Sequence, residues 1–296
     1  MQITPTPKLV SLLGLAALAW LTAPAHAQSL QLVNNDNVTV SGAGTDNNGI
    51  PSDTKSYSDA DGYGYAVQTT GDATFTLEDG GALSSTGNNS IGLDARGSGT
   101  VTITGGTITG GQGGYGLSSS GSGSVLVSGG TITGGEGYDG IAALGTGVVT
   151  ISGGKIVGGA GGNGLSSVGG IVTITGGTIN AGPVGAPMGV GLLAAGAGII
   201  NLFSLNGTDF FINNVPMNNI TLDDTVYLLG TDTIKGTLAN GDNLDTTFRD
   251  FGGTINLNTP ASAAPEPSAV AIWALVGLGG AGLALKAKRR KAAAAR

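Results

Sequence analysis

The sequence predicts an all-β fold. It reads as a parallel β-helix (a β-solenoid) of about 24 residues per coil, with an N-terminal signal helix and a C-terminal transmembrane helix. Three observations predict it. The first is a phrase said four times: Gly105-Gly106-Thr107-Ile108-Thr109-Gly110-Gly111 returns from Gly129, from Gly153 and, eroded, from Gly176, with starts 24, 24 and 23 residues apart. A weaker copy, Gly80-Gly81-Ala82-Leu83, lies 25 residues before the first. The second is the content of each unit, three short apolar runs with no helical i, i+3, i+4, i+7 stripe. The third is that glycine, 57 of 296 residues, falls at the joints between runs, where corners need it.

The first run of a unit alternates apolar and hydroxyl residues: Val101-Thr102-Ile103-Thr104, then Val125 to Ser128, Val149 to Ser152 and Val172 to Thr175. Period two is the signature of a strand with one buried face. The second run is the Thr-Ile-Thr of the repeated phrase, and the third is Gly92-Leu93, Gly116-Leu117, Gly140-Ile141 and Gly164-Leu165. Stacking the coils sets Val101 over Val125 over Val149, and Ile108 over Ile132 over Ile156, about 4.8 Å apart. The aliphatic ladders then make one core that no single coil could bury alone.

In chain order, residues 1–27 read as a secretory signal peptide. Lys8 is its basic start, Leu9 to Leu21 its apolar run and Ala25-His26-Ala27 its cleavage site, leaving Gln28 as the first mature residue. Residues 28–79 form an N-terminal cap and first irregular coils. Val38-Thr39-Val40 matches a first run, Ala43 to Gly62 reads as a surface loop or cap, and the rhythm resumes at Gly64 and Ala73. Residues 80–203 are the regular repeats, ending with Gly191 to Ala194 as a third run and Ile199 to Phe203 as another first. Residues 204–257 are irregular C-terminal coils or a cap, with strand-like segments at Asp209–Ile212, Asn219–Leu222, Thr225–Leu229, Ile234–Leu238 and Gly253–Leu257. Residues 258–264 are a linker. Residues 265–296 hold Pro265-Glu266-Pro267, a transmembrane run at 269–285 and a basic tail at 286–296, in which Lys286, Lys288, Arg289, Arg290 and Lys291 hold the C-terminus on the cytoplasmic side.

Charge narrows the partners. The chain carries −7 overall, but Gln28 to Ala264 has five Lys and Arg against 18 acids, a balance of −13. So acidic a body excludes nucleic acid, which demands clustered cations, and anionic membrane surfaces. There is no cysteine, so no disulfide contributes.

Coil length and rhythm resemble the right-handed parallel β-helix of pectate-lyase-like and autotransporter-passenger proteins. The left-handed hexapeptide helix is disfavoured, because no six-residue period is present. At the other end, Pro265-Glu266-Pro267, the short apolar run and the Lys/Arg cluster resemble the PEP-CTERM sorting signal. That resemblance covers about the last thirty residues and implies export followed by processing near the triplet by an exosortase, a membrane-embedded cysteine protease of Gram-negative bacteria. It implies a precursor anchored in the inner membrane, a destination at the cell surface or outside it, and a link to extracellular polysaccharide. It implies no activity.

Chemistry on the body is sparse. The only histidine, His26, leaves with the signal and the chain has no cysteine, which together remove a Ser-His-Asp triad, a Cys nucleophile and the usual zinc sites. Paired carboxylates of glycosidase type, or a carboxylate-bound calcium with a basic partner, need acids stacked in one column over neighbouring coils. Within the regular array the acids are Asp94, Glu136 and Asp139. Asp94 follows its Gly-Leu pair while Asp139 precedes Gly140-Ile141, so they fall in different columns, and the column of Asp139 reads Ile91, Tyr115, Asp139, Asn163. Gly134 to Ala142 fits the calcium-binding nonapeptide G-G-x-G-x-D-x-U-x, which makes Asp139 a weak metal candidate. Such sites need the motif in immediate tandem, whereas here it recurs once per coil, so a glycine corner is the preferred reading and no cofactor is expected. Asp46, Asp53, Asp59 and Asp61 read as a solvated loop. Sequons stand at Asn37, Asn88, Asn206 and Asn219. No aromatic platform is evident.

The function expected is a non-catalytic, structural or adhesin-like component of the cell surface or extracellular matrix. A polysaccharide lyase or hydrolase, and a calcium-dependent matrix protein, are the two alternatives.

Overall fold

The alternation of apolar and hydroxyl residues becomes an alternation of inside and outside. In the strand Thr100–Ile103, Val101 and Ile103 turn into the core at 1% and 0% exposure, while Thr100 and Thr102 stay at the surface. The computed structural model describes residues 30–32, 37–40, 56–59, 64–183, 189–205, 210–217, 220–223 and 232–258. They form a parallel β-solenoid, with no α-helix among the described residues. The signal segment and everything from Thr259 onward, including both apolar runs, lie outside them.

Three columns of strands build the body. First runs stack in parallel from Asn37–Val40 through Thr74–Leu77, Thr100–Ile103 and Ser124–Val127, then through the opening halves of Val148–Val157 and Ile171–Asn180 to Ile199–Phe203 and Thr254–Asn258. Third runs stack likewise through Tyr65–Thr69, Ile91–Ala95, Leu117–Ser119, Ile141–Ala143, Leu165–Ser167 and Leu192–Ala195. Second runs stack through Ala82–Ser85, Thr107–Thr109 and Thr131–Thr133 onto the closing half of Val148–Val157. In the two ten-residue strands, first and second runs join without a break, and the register slips at the bend near Ser152.

The register is the one the repeats imply: Val101, Val125 and Val149 align, as do Ile108, Ile132 and Ile156. Leu93, Leu117, Ile141, Leu165 and Leu192 line the third wall. These ladders meet in one continuous core. Each fully buried Ile or Leu contributes about 1.5–3 kcal/mol, and each also closes the coil on either side of it.

Both ends differ in detail from the regular coils. Within Ala43 to Gly62, which reads as a surface loop or cap, Ser56–Asp59 is a strand paired in parallel with Ala82–Ser85. Its sequence is too polar to show an apolar alternation, but the backbone of Ala82–Ser85 offers an open edge, and ladder hydrogen bonds do not depend on side chains. At the other end, the region expected as irregular coils or a cap contains antiparallel strands. After Phe203 the strands Phe210–Ile212, Val215–Met217 and Thr233–Thr237 pair antiparallel, an excursion from the solenoid. The chain returns through Asn243–Phe251, which pairs antiparallel with Thr233–Thr237 over its first five residues and parallel with Leu192–Ala195 over its last four. That strand is missing from the sequence reading because two of its four inward positions, Thr246 and Asp250, are polar. Their hydrogen-bonding is internal: Thr246 Oγ1 donates to Ile179 O at 2.8 Å, and Asp250 Oδ1 accepts from Gly253 N at 2.8 Å. Thr225–Leu229, the other strand-like segment of this region, lies outside the described residues.

Candidate functional site

The corner between the second and third runs carries the nonapeptide match, and each of its fixed positions has a structural task. A Cβ on Gly135 would fall within the van der Waals shell of the Gly111 carbonyl oxygen one coil away, and Gly159 meets Gly135 in the same way. Gly137 has φ +77°, in line with Gly113 at +72° and Gly161 at +79°, and in Asn89 the same column holds one of the few residue types that accept this conformation. Gly140 is hemmed in by the carbonyls of Val157 and Gly164. The glycine pattern is therefore what tight stacking of corners demands.

Asp139 is buried and faces the next coil. Its Oδ1 accepts from Asn163 N at 2.9 Å and from Asn163 Nδ2 at 2.8 Å, while Oδ2 accepts from Ser166 Oγ at 2.5 Å. Asn163 Oδ1 in turn accepts from Val190 N at 2.9 Å, so a polar thread crosses three coils. Among the described residues no group of three or more His, Cys, Asp or Glu could hold a metal ion. Asp94, at 1% exposure, does the same work two coils earlier, accepting from Gln68 Nε2 at 3.0 Å and from Arg96 Nε at 2.6 Å. The two acids lie in different columns, since Asp94 aligns with Ser118 and Ser118 with Ala142.

Burial raises the Asp139 pKa above the usual carboxylate value, and the hydrogen bonds from Ser166 and Asn163 oppose that shift without cancelling it. A folded-state pKa above the unfolded one means the folded state holds the proton more tightly. The contribution of Asp139 is then full below the unfolded pKa of about 3.9 and is lost as pH rises through the raised value. Asp139→Asn should abolish that dependence while keeping the network, because its amide can still accept from Asn163 and donate to Ser166 Oγ. Asp139→Ala leaves Asn163 and Ser166 without their acceptor and should cost about 1–3 kcal/mol at neutral pH. Urea midpoints of the three proteins from pH 3 to pH 7 check both points. A wild-type profile parallel to that of the Asn variant would rule out the assignment.

The outer rim of this corner was not legible as a site. Asn88, Gln112 and Glu136 stand at steps of 24, all exposed, and with Asn89 and Gly113 they line a shallow groove that spans three coils. Gln112 Nε2 donates to Glu136 Oε2 at 3.2 Å. Three residues beyond Gln112, Tyr115 meets Tyr138 edge to face, ring centroids 5.0 Å apart and planes at 70°. No aromatic pair was expected, because the two tyrosines are 23 residues apart and belong to neighbouring columns. Burial, then the charge of Asp139, holds the Tyr115 phenol above its usual pKa, so at neutral pH it is a hydroxyl donor.

Of the sites read from sequence, the cleavage residues Ala25, Ala27 and Gln28, the triplet Pro265-Glu266-Pro267, the cations Lys286, Lys288, Arg289, Arg290 and Lys291, and the sequons at Asn206 and Asn219 lie outside the described residues. Asn37 and Asn88 are described and exposed. Comparison with protein-family models, with curated proteins and with solved structures gives no match.

Proposed function

We propose that this chain is an exported, non-catalytic β-solenoid of the cell surface or extracellular matrix, with a structural or adhesive role. Its tail is sorted by an exosortase through Pro265-Glu266-Pro267, and before processing the run 269–285 anchors it in the inner membrane. The observation that carries the non-catalytic reading is the use made of the buried acids of the regular array. Asp94 and Asp139 are each committed to hydrogen bonds with a neighbouring coil, Asp94 also to Arg96 of its own, in separate columns and with no second carboxylate stacked on either. The handedness proposed is right-handed, on the resemblance in coil length. Extracellular polysaccharide is the proposed partner, supported by the acidic, hydroxyl- and amide-rich surface and by the resemblance of the tail.

Intact mass and membrane partition of the full chain, expressed with and without an exosortase, test the sorting. The expected result is loss of the mass beyond the triplet, and release from the membrane, only when the protease is present. A tail retained in both cases would leave a simple C-terminally anchored protein and remove the basis of the sorting proposal.

A further inference from the structure

We propose that the groove along Asn88, Gln112 and Glu136 binds a neutral glycan whose chain runs along the solenoid axis. The stack sets these three side chains at the pitch of the sheet, about 4.8 Å per coil, so they form a row of amide donors and amide or carboxylate acceptors. A sugar's hydroxyls both donate and accept, so a row that offers donors and acceptors along the axis suits hydroxyls of successive sugars. Within the groove a Cβ on Gly113 would collide with Asn89 Oδ1, so the glycine leaves room for that amide beside the row. Tyr115 and Tyr138, both partly exposed, follow Gln112 and Glu136 by three and two residues along the chain.

Charge selects the class of glycan. Among the described lining residues Glu136 is the ionisable one and none is Lys or Arg, and the body carries −13. A uronic-acid chain would meet repulsion with no cation to offset it, whereas a neutral glycan meets none. The residues lining the groove are polar or glycine, unlike the apolar centre of a protein interface. Nor does the fold require the Gln112–Glu136 bond, since an exposed pair of this kind contributes little to stability. The proposal rests on the exported reading only for access to glycans.

Affinity electrophoresis of the full chain in mild detergent tests it, through gels containing laminarin, dextran or hydroxyethylcellulose, with polygalacturonate and plain gels for comparison. The expected result is retardation by at least one neutral glucan and not by polygalacturonate. With Gln112→Ala/Glu136→Ala the dissociation constant should rise about tenfold or more, the equivalent of losing one or two hydrogen bonds. The melting temperature should not change, because both side chains are exposed. Glu136→Gln, which keeps the shape, should lose less than the double variant. Retardation by none of the three glucans, equal retardation of the double variant, or equal retardation by polygalacturonate would overturn the site. Tail processing, read by mass on the same preparations, is independent of all these outcomes, so failure of this site is distinguishable from failure of the sorting proposal.

Discussion

Replacing Gly135 with valine is expected to destabilise the solenoid by about 3 kcal/mol or more, the upper range for forcing atoms into a packed site. The clash is with the Gly111 carbonyl, which is backbone and belongs to the neighbouring coil, so no rotamer relieves it. The same column continues at Gly159 against Gly135 and at Gly182 against Gly159, a ladder in which main chain lies directly on main chain. Gly137→Ala is the natural comparison. Its Cβ points into open space, and its cost is only that of a left-handed conformation for a residue with a side chain, about 1–2 kcal/mol. Urea unfolding followed by far-ultraviolet circular dichroism should rank Gly135→Val well below Gly137→Ala. Because each coil is stabilised chiefly by its neighbours, hydrogen exchange in Gly135→Val should lose protection first in the coils on either side of the substitution. Equal midpoints for the two variants would mean that the corners are not packed backbone on backbone.

What could be read in advance followed from what repeats. Ile108, Ile132 and Ile156 recur at a fixed step with the same chemistry, so period and alternation together gave their column, their direction and their neighbours. The glycines were legible as corners, but not as two different kinds of corner. Gly137 is required by its own φ, and Gly135 by an oxygen 24 residues away, which no local rule registers. Asp139 was placed in the right column, but its task lies in Asn163 and Ser166 of the next coil, beyond the reach of a nonapeptide pattern. The tyrosine contact was missed for a geometric reason. Tyr138 sits one position before Asp139, the residue in register with Tyr115, so the pair forms diagonally, across columns. At the C-terminal end the alternation that marks a strand was hidden by inward polar residues: Thr246 bonds the Ile179 carbonyl of a distant strand, and Asp250 the Gly253 N–H three residues on.

Phe248→Ala carries the other large effect, about 3–5 kcal/mol, the usual range for emptying the site of a buried phenylalanine. Phe248 is fully buried and sits in register with Leu192, at the end of the column that runs from Leu30 through Val67 and Leu93. The regular coils fill that wall with Leu or Ile. The last coil uses a larger ring where the stack runs out of neighbours, and its strand brings only Leu244 as further apolar support on the inward side. Loss of the ring leaves a cavity against Leu192 and weakens the hold of Asn243–Phe251 on Leu192–Ala195. If that strand lifts, the backbone of Leu192–Ala195 becomes an open parallel edge, the arrangement from which strands pair between molecules. Phe248→Ala should therefore lower the urea midpoint and also raise the sedimentation coefficient in a concentration-dependent way. Leu126→Ala, at an outward position 43% exposed, should do neither. Destabilisation without association would mean that the end coil contributes burial but does not guard the edge. An unchanged midpoint would mean that Phe248 adds nothing to the stack, and that the solenoid ends, energetically, at Ile199–Phe203.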